Sequence, residues 1–434
     1  MIIMQSSTAR RSMCSDNRRL ALHGGAPVRT AAWPTYDNGT VFIDESDVQA
    51  AERAVRSQLL FRYDTRPYEE TETGLLELEM ADFFGTRFAL ATTSGTTALT
   101  VALLGSGVGP GDVVGCPAFT FPAAASAVAA AGAEIRLIEV DENLNMDVVD
   151  LADKIVGLSA LIVCHMRGVA SDIVEIKRLA DENGVLLVED AVPVFGSTYD
   201  GKMLGTFGQV GCFSFQADKA INCGEGGLVV TDDQETFERM CALTGTYEGR
   251  LKRHLDARGL PTLIDERSLP IMSWRMDEVR AAIARSQLAK SHERRSAAQR
   301  NYRLIADAVD TLADWRRREC PGVVDGIAGD SLIITPPPGV DATVVAAALR
   351  AEGIAARCLG DPTETNARCF WHWLFCFPGT TEEERTSLAP ASAARLARAI
   401  DIPVSPLMTA DDRADLIEAL TKVAEAFRVQ RVAA

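Results

Sequence analysis

The rhythm of apolar and polar positions changes partway along the chain, and the change marks where a sheet begins. At 44–58 apolar and charged residues mix at the spacing of a surface helix. The stretch 73–84 forms a second helix, with Leu75, Leu76, Leu78 and Phe83 as its apolar positions. From about Phe88 short apolar runs take over, at 88–91, 113–116, 135–139, 160–164, 185–188, 211–215 and 228–231. Helical stretches at 97–104, 121–131 and 173–183 separate the earlier runs. Buried strands alternating with helices predict an α/β fold, a mostly parallel seven-stranded sheet covered on both faces.

Between about Thr246 and Pro270 this pattern dissolves into charged and turn residues, and a long helical stretch follows at 275–309. Beyond it lie strand candidates at 332–335 and 354–358 and helices at 342–351 and 410–428, the makings of a smaller α+β domain. The expected organisation is a flexible leader at 1–21, a large domain at 22–274, a connecting helix at 275–311 and a small domain at 312–434.

Composition narrows the function classes. Of 434 residues 47% are apolar and 24% charged, an ordinary globular balance. No apolar run approaches the roughly 20 residues that span a bilayer, so a membrane-spanning role is excluded. A net charge of −16 argues against nucleic acid, whose binding needs clustered Lys and Arg. The leader carries Arg10, Arg11, Arg18 and Arg19 without an apolar core, unlike a secretory signal, so a cytoplasmic protein is expected. The 10 cysteines form no CxxC pair and read as reduced thiols. Cys358, Cys369 and Cys376 raise a metal or iron–sulfur cluster only weakly, since their spacing is irregular, and no metal site is expected.

Four segments carry chemistry. A strand ending near Phe215 is followed by Lys219 and then by Gly224, Gly226 and Gly227, where glycines let the backbone turn sharply beneath a bound group. Such a lysine can reach over the carboxyl end of the sheet, although a surface lysine before a Gly-rich hairpin fits the spacing as well. The strand at 185–188 runs into Glu189 and Asp190; Asp190 is placed to pair with a protonated pyridine nitrogen, or both acids simply cap the next helix. Ser94, Gly95 and Thr96 lie where a strand turns into a helix, an anion site or an ordinary N-cap. Phe119 and Phe121 follow another strand end, where a ring can stack on a flat cofactor or pack in the core.

Taken in order, these segments resemble the sugar aminotransferases of the DegT/DnrJ/StrS family, fold-type I pyridoxal-phosphate enzymes. The resemblance runs from about Leu22. It includes 109–112, Gly132 and Ala133, Val140 and Asp141, His165 with Gly168 and Asp172, the 224–227 glycine run, 275–278 and 402–406. It implies a large pyridoxal-phosphate-binding domain with a smaller C-terminal one. Lys219 would hold the cofactor as a Schiff base and shuttle the proton. Asp190 would pair with the ring nitrogen and Phe121 would stack on the ring, while Gly95, Thr96 and Ser214 would hold the phosphate. Glu225 would help bind the substrate's polar groups or brace the lysine loop. Active sites shared across a homodimer are implied, with Glu or Gln as amino donor and a keto sugar or related polyol ketone as acceptor, in amino-sugar or natural-product biosynthesis. The stretch 370–373 resembles the branch acting on keto-octulosonate and related sugars, which brings in His372 as a substrate contact.

The chain also departs from that family. Pro193 stands where many relatives have Gln or His, Phe195 where they have His before a glycine, and Gln216 where a His follows the Ser–Phe pair. Ser273 replaces the Asn that relatives extend to the partner's phosphate, and is carried over as a cofactor contact on that basis. Two other readings compete: a sugar dehydratase or deoxygenase, whose relatives carry His in place of the lysine, and a non-catalytic regulator, which the retained Lys219 and Asp190 disfavour.

Overall fold

The computed structural model describes residues 19–34, 40–320 and 326–433. Residues 1–18 of the expected leader lie outside the described residues. The main sheet has seven strands: β1 (Phe88–Thr92), β2 (Val113–Pro117), β3 (Glu134–Ile138), β4 (Ala160–Cys164), β5 (Leu186–Asp190), β8 (Val210–Ser214) and β9 (Gly227–Thr231). A two-stranded hairpin, β6 (Thr198–Tyr199) with β7 (Lys202–Met203), interrupts the series. The spatial order is β1-β9-β8-β5-β4-β2-β3, and β9 alone runs against the others. All seven apolar runs of the sequence are strands here.

Successive side chains of a strand face opposite sides, and both faces of this sheet are buried. On β4, Ala160, Ile162 and Cys164 join one apolar cluster with helices Gly95–Gly105, Ala123–Ala131 and Gln234–Thr244. Leu161 and Val163 join the opposite cluster with helices Glu72–Phe84, Ile173–Glu182 and Glu278–Leu288. This two-sided cover is why the strands read as continuous apolar runs rather than alternating ones.

The C-terminal unit is built on a second, antiparallel sheet: β10 (Arg316–Arg317), β11 (Ser331–Thr335), β13 (Ile400–Pro403) and β12 (Arg357–Cys358) in that order. Helices Ser291–Val309, Ala342–Ala351 and Ala410–Ala433 accompany it. Two features differ from the expected organisation. The helical region at 275–309 divides into Glu278–Leu288 and Ser291–Val309. Residues near the chain's start belong spatially with its end: Leu20 sits in the core of the C-terminal unit, and Val28 and Trp33 pack against it. Arg29 pairs with Asp412 and Asp415 at 2.8 Å each, and Lys422 donates to the Ala26 carbonyl at 2.7 Å. Conversely Leu359, Phe370 and Trp373 pack into the large sheet's core. Charged and mixed segments gave the sequence no means of showing either exchange. Among the described residues no helix is long and apolar enough to cross a membrane.

Candidate active site

Six parallel strands bring their carboxyl ends to one edge, the usual ligand edge of an open α/β sheet. A cavity of about 370 Å³ opens there, within the roughly 300–1,000 Å³ of small-molecule sites. Gly95, Thr96, Phe121, Asp190, Ser214, Lys219 and Glu225 all line it. These are the sequence-derived candidates apart from Ser273 and His372.

The strand period sorts the two acids. Asp190 shares the face of Val188 and projects into the cavity, while Glu189 turns to the other side. There Glu189 accepts from the Gly205 amide at 2.8 Å, the Gly208 amide at 2.5 Å and, at 3.3 Å, His165 Nε2. His165 Nδ1 accepts from the Ser171 amide, so Nε2 carries the proton. Glu189 therefore braces a loop. Asp190 is 4% exposed and takes a 3.3 Å hydrogen bond from the Val192 amide. Burial pushes its pKa up, opposed by hydrogen bonds from the Cys164 thiol and the Val192 amide. A buried carboxyl aimed into a cavity suits a cationic partner there.

Across from it, helix Gly95–Gly105 starts at the end of β1. Ser94 caps it by accepting from the Thr97 amide at 3.1 Å, a bond worth about 1 kcal/mol. A Cβ on Gly95 would lie 2.7 Å from Ser214 Cβ, and one on Gly227 would lie 2.2 Å from the Ser94 carbonyl oxygen. Only glycines let the helix start approach Ser214 so closely. The result is a cup of amides and hydroxyls at a helix N-terminus, fit for a phosphate. Phe121, 51% exposed, stands over the cavity as a large apolar ring.

Lys219 lies in the turn after β8, its amide bonded to the Gln216 carbonyl at 2.8 Å. Desolvation lowers its pKa most; Arg368 and Arg167 lower it further, against Asp218 and Asp190. Lowering favours the neutral, nucleophilic amine. A buried acid, a glycine-gated phosphate cup, a flat ring and a depressed lysine around one space fit pyridoxal phosphate.

Two sequence candidates stand elsewhere. Ser273, with a left-handed φ of 57°, does not line the cavity and accepts from Arg275 Nη2 at 3.3 Å. His372 is also outside the cavity, its Nδ1 held 2.9 Å from the Asn366 carbonyl oxygen, and Arg368 lines the cavity instead. Of the departures, Pro193, Phe195 and Gln216 all line it. Phe195 stacks on Phe83 with ring centroids 5.3 Å apart.

Sequence reasoning missed Arg167, Arg294, Arg295, Asp330 and Arg368, which form much of the facing wall. Arg294 Nη2 lies 3.8 Å from Asp330 Oδ1, and Arg295 donates to the Gly196 carbonyl. Arg167 has φ 55° and ψ 32°, a left-handed conformation that costs a non-glycine residue about 1–3 kcal/mol. Its nearness to the His165 and Gly168 matches was the one available signal.

Residues 42–421 match the model of the DegT/DnrJ/EryC1/StrS aminotransferase family. L-glutamine:2-deoxy-scyllo-inosose aminotransferase of Streptomyces kanamyceticus is 31% identical over 348 residues, 78% of this chain and 79% of that protein. Two solved structures share the fold. An aminotransferase from Psychrobacter cryohalolentis has a TM-score of 0.76 at 22% identity, covering 92% of this chain and 100% of its own. A 3-amino-5-hydroxybenzoic acid synthase has a TM-score of 0.73 at 23% identity, covering 93% and 100%.

Proposed function

This chain belongs to the DegT/DnrJ/EryC1/StrS aminotransferase family, and from that premise we propose that it moves an amino group from glutamate or glutamine to a keto sugar or related polyol ketone with pyridoxal phosphate. The observation that carries the reading is that Lys219 and Asp190 open onto one cavity beside the Gly95–Ser214 cup. The name of the Streptomyces relative supports the donor and the polyol class of acceptor.

When bound, pyridoxal phosphate supplies an electron sink for charge on the donor's α-carbon. On this reading the Gly95 and Thr96 amides and the Ser214 hydroxyl hold its phosphate, and Phe121 covers its ring. Asp190 presents its carboxylate to the ring nitrogen from the end of β5. Lys219 Nζ, whose pKa desolvation lowers, would take the proton from the donor's α-carbon and deliver it to the cofactor carbon on the far side of the shared nitrogen.

The proposal includes a homodimer. Leu60, Phe61, Ile271 and Met272 are exposed large apolar side chains near Ser273, an uneconomical surface for a lone protein. The Phe61 ring lies 5.5 Å from the Arg275 guanidinium that bonds Ser273. Ser273 would face the partner's cavity. A visible spectrum of the purified holoenzyme tests the chemistry: its colour should bleach with glutamate or glutamine. A protein that takes up no cofactor defeats the reading, and a monomer in sedimentation defeats the dimer clause.

A further inference from the structure

Thiols bracket Asp190. Strand register sets the acid beside Cys164 on β4 and Cys212 on β8. The three strands are parallel, so paired side chains project to the same face of the sheet. Of the two thiols only Cys164 lines the cavity with the acid. It is 4% exposed, and burial holds its pKa well above the ordinary thiol range, so it keeps the proton with which it bonds Asp190. Behind it stands Thr120, fully buried, whose hydroxyl has no oxygen or nitrogen partner and lies against the Cys164 sulfur as a donor.

The sheet fixes the backbone of the acid but not the turn of its carboxyl. The His165 amide donates to the Asp190 carbonyl at 3.3 Å, and the Ala191 amide to the Cys212 carbonyl at 3.1 Å. The carboxyl itself has the Val192 amide, a long bond at 3.3 Å, and the Cys164 thiol. Burial favours the neutral acid, whereas pairing with a protonated ring nitrogen needs the anion, and donors to the anion oppose that bias. A thiol is a weak donor in water, but hydrogen bonds strengthen where the surroundings are apolar. We propose that Cys164, steadied by Thr120, is a positioning residue for the cofactor ring: its thiol holds the Asp190 carboxylate, as the anion, toward the ring nitrogen. The inference rests on the pyridoxal-phosphate reading and assigns the acid's support within that same site. An apolar side chain that only filled this space would leave the buried Thr120 hydroxyl without its sulfur and the acid without a donor, both unfavourable.

The test compares two cofactors on the apoprotein of the full chain. Pyridoxal phosphate carries the ring nitrogen, and its 1-deaza analogue has a C–H group there while keeping the aldehyde and the phosphate. Cys164→Ala should weaken affinity for pyridoxal phosphate about threefold to tenfold, the size of one modest hydrogen bond, and leave affinity for the analogue within about twofold. Cys164→Ser, which puts a donor back, should bind each cofactor within about twofold of the wild type. Thr120→Val, which removes only the hydroxyl behind the thiol, should repeat the alanine pattern at smaller size. Equal losses for the two cofactors in Cys164→Ala mark a packing effect and overturn the assignment. So does unchanged affinity for pyridoxal phosphate, or a serine variant as weak as the alanine one. Should Cys164→Ala fail to fold, Thr120→Val decides: a loss shared equally by both cofactors, or none, counts against the assignment. A wild-type protein that binds the two cofactors equally well has no acid reading the ring nitrogen. That outcome defeats the site reading itself, which separates the two failures.

Discussion

On one side of the cavity, Gly95, Asp190 and Ser214 stand at the ends of strands whose neighbours are fully buried, so backbone hydrogen bonds and packing fix their places. On the other, Arg294 comes from a helix, Asp330 from the loop before β11 and Arg368 from a loop beyond β12. Their places rest on longer links, such as the 3.8 Å approach of Arg294 to Asp330. The strand-end wall suits a group that never changes, the cofactor. The facing wall can differ from one protein to another without disturbing the sheet, and so suits the choice of substrate.

Changes on the strand-end side should strike hardest. Lys219→Ala should lose turnover by several orders of magnitude, because on the proposed reading it removes both the covalent anchor and the proton carrier. Near-normal steady-state rates in that variant would void the site. Gly95→Ala comes next. Its methyl would press on Ser214 Cβ at 2.7 Å, and overpacking of this sort costs about 1–3 kcal/mol. Cofactor affinity, read by titrating the apoprotein, should drop by roughly tenfold or more; unchanged affinity would mean the phosphate sits elsewhere. The mildest effect belongs to the facing wall. Asp330→Asn should raise acceptor KM about threefold to tenfold, as expected for one polar contact, while cofactor affinity stays within about twofold. If affinity falls in step with KM, the two walls are not separate devices.

The same asymmetry governs what the sequence disclosed. Seven strands were readable because both faces of the sheet are buried and each run is apolar throughout. Lys219, Asp190 and Gly95 were readable because strand-end chemistry is contiguous in the chain. Arg294 and Arg295 were not, since arginines within a helix look like any solvated face until the fold sets them over a cavity. Arg167 was hidden for another reason: its left-handed turn depends on Arg318, Ile327 and Ala328, far along the chain. The split at Ala289 and Lys290 was also silent, as neither residue breaks helices by propensity. His372 was drawn in by its aromatic neighbours, whereas Phe370 and Trp373 are core residues.

The docking of Leu20 to Trp33 on the C-terminal unit bears on how the protein comes into being. A stretch emerging from the ribosome near the beginning must wait for the final helix before Arg29 meets Asp412 and Asp415. Closing so wide a loop is entropically slow, so the unit that completes the cavity's facing wall is joined only once helix Ala410–Ala433 has been made. A fusion placed ahead of residue 20 would therefore perturb that late-forming half, at the far end of the sequence from the tag.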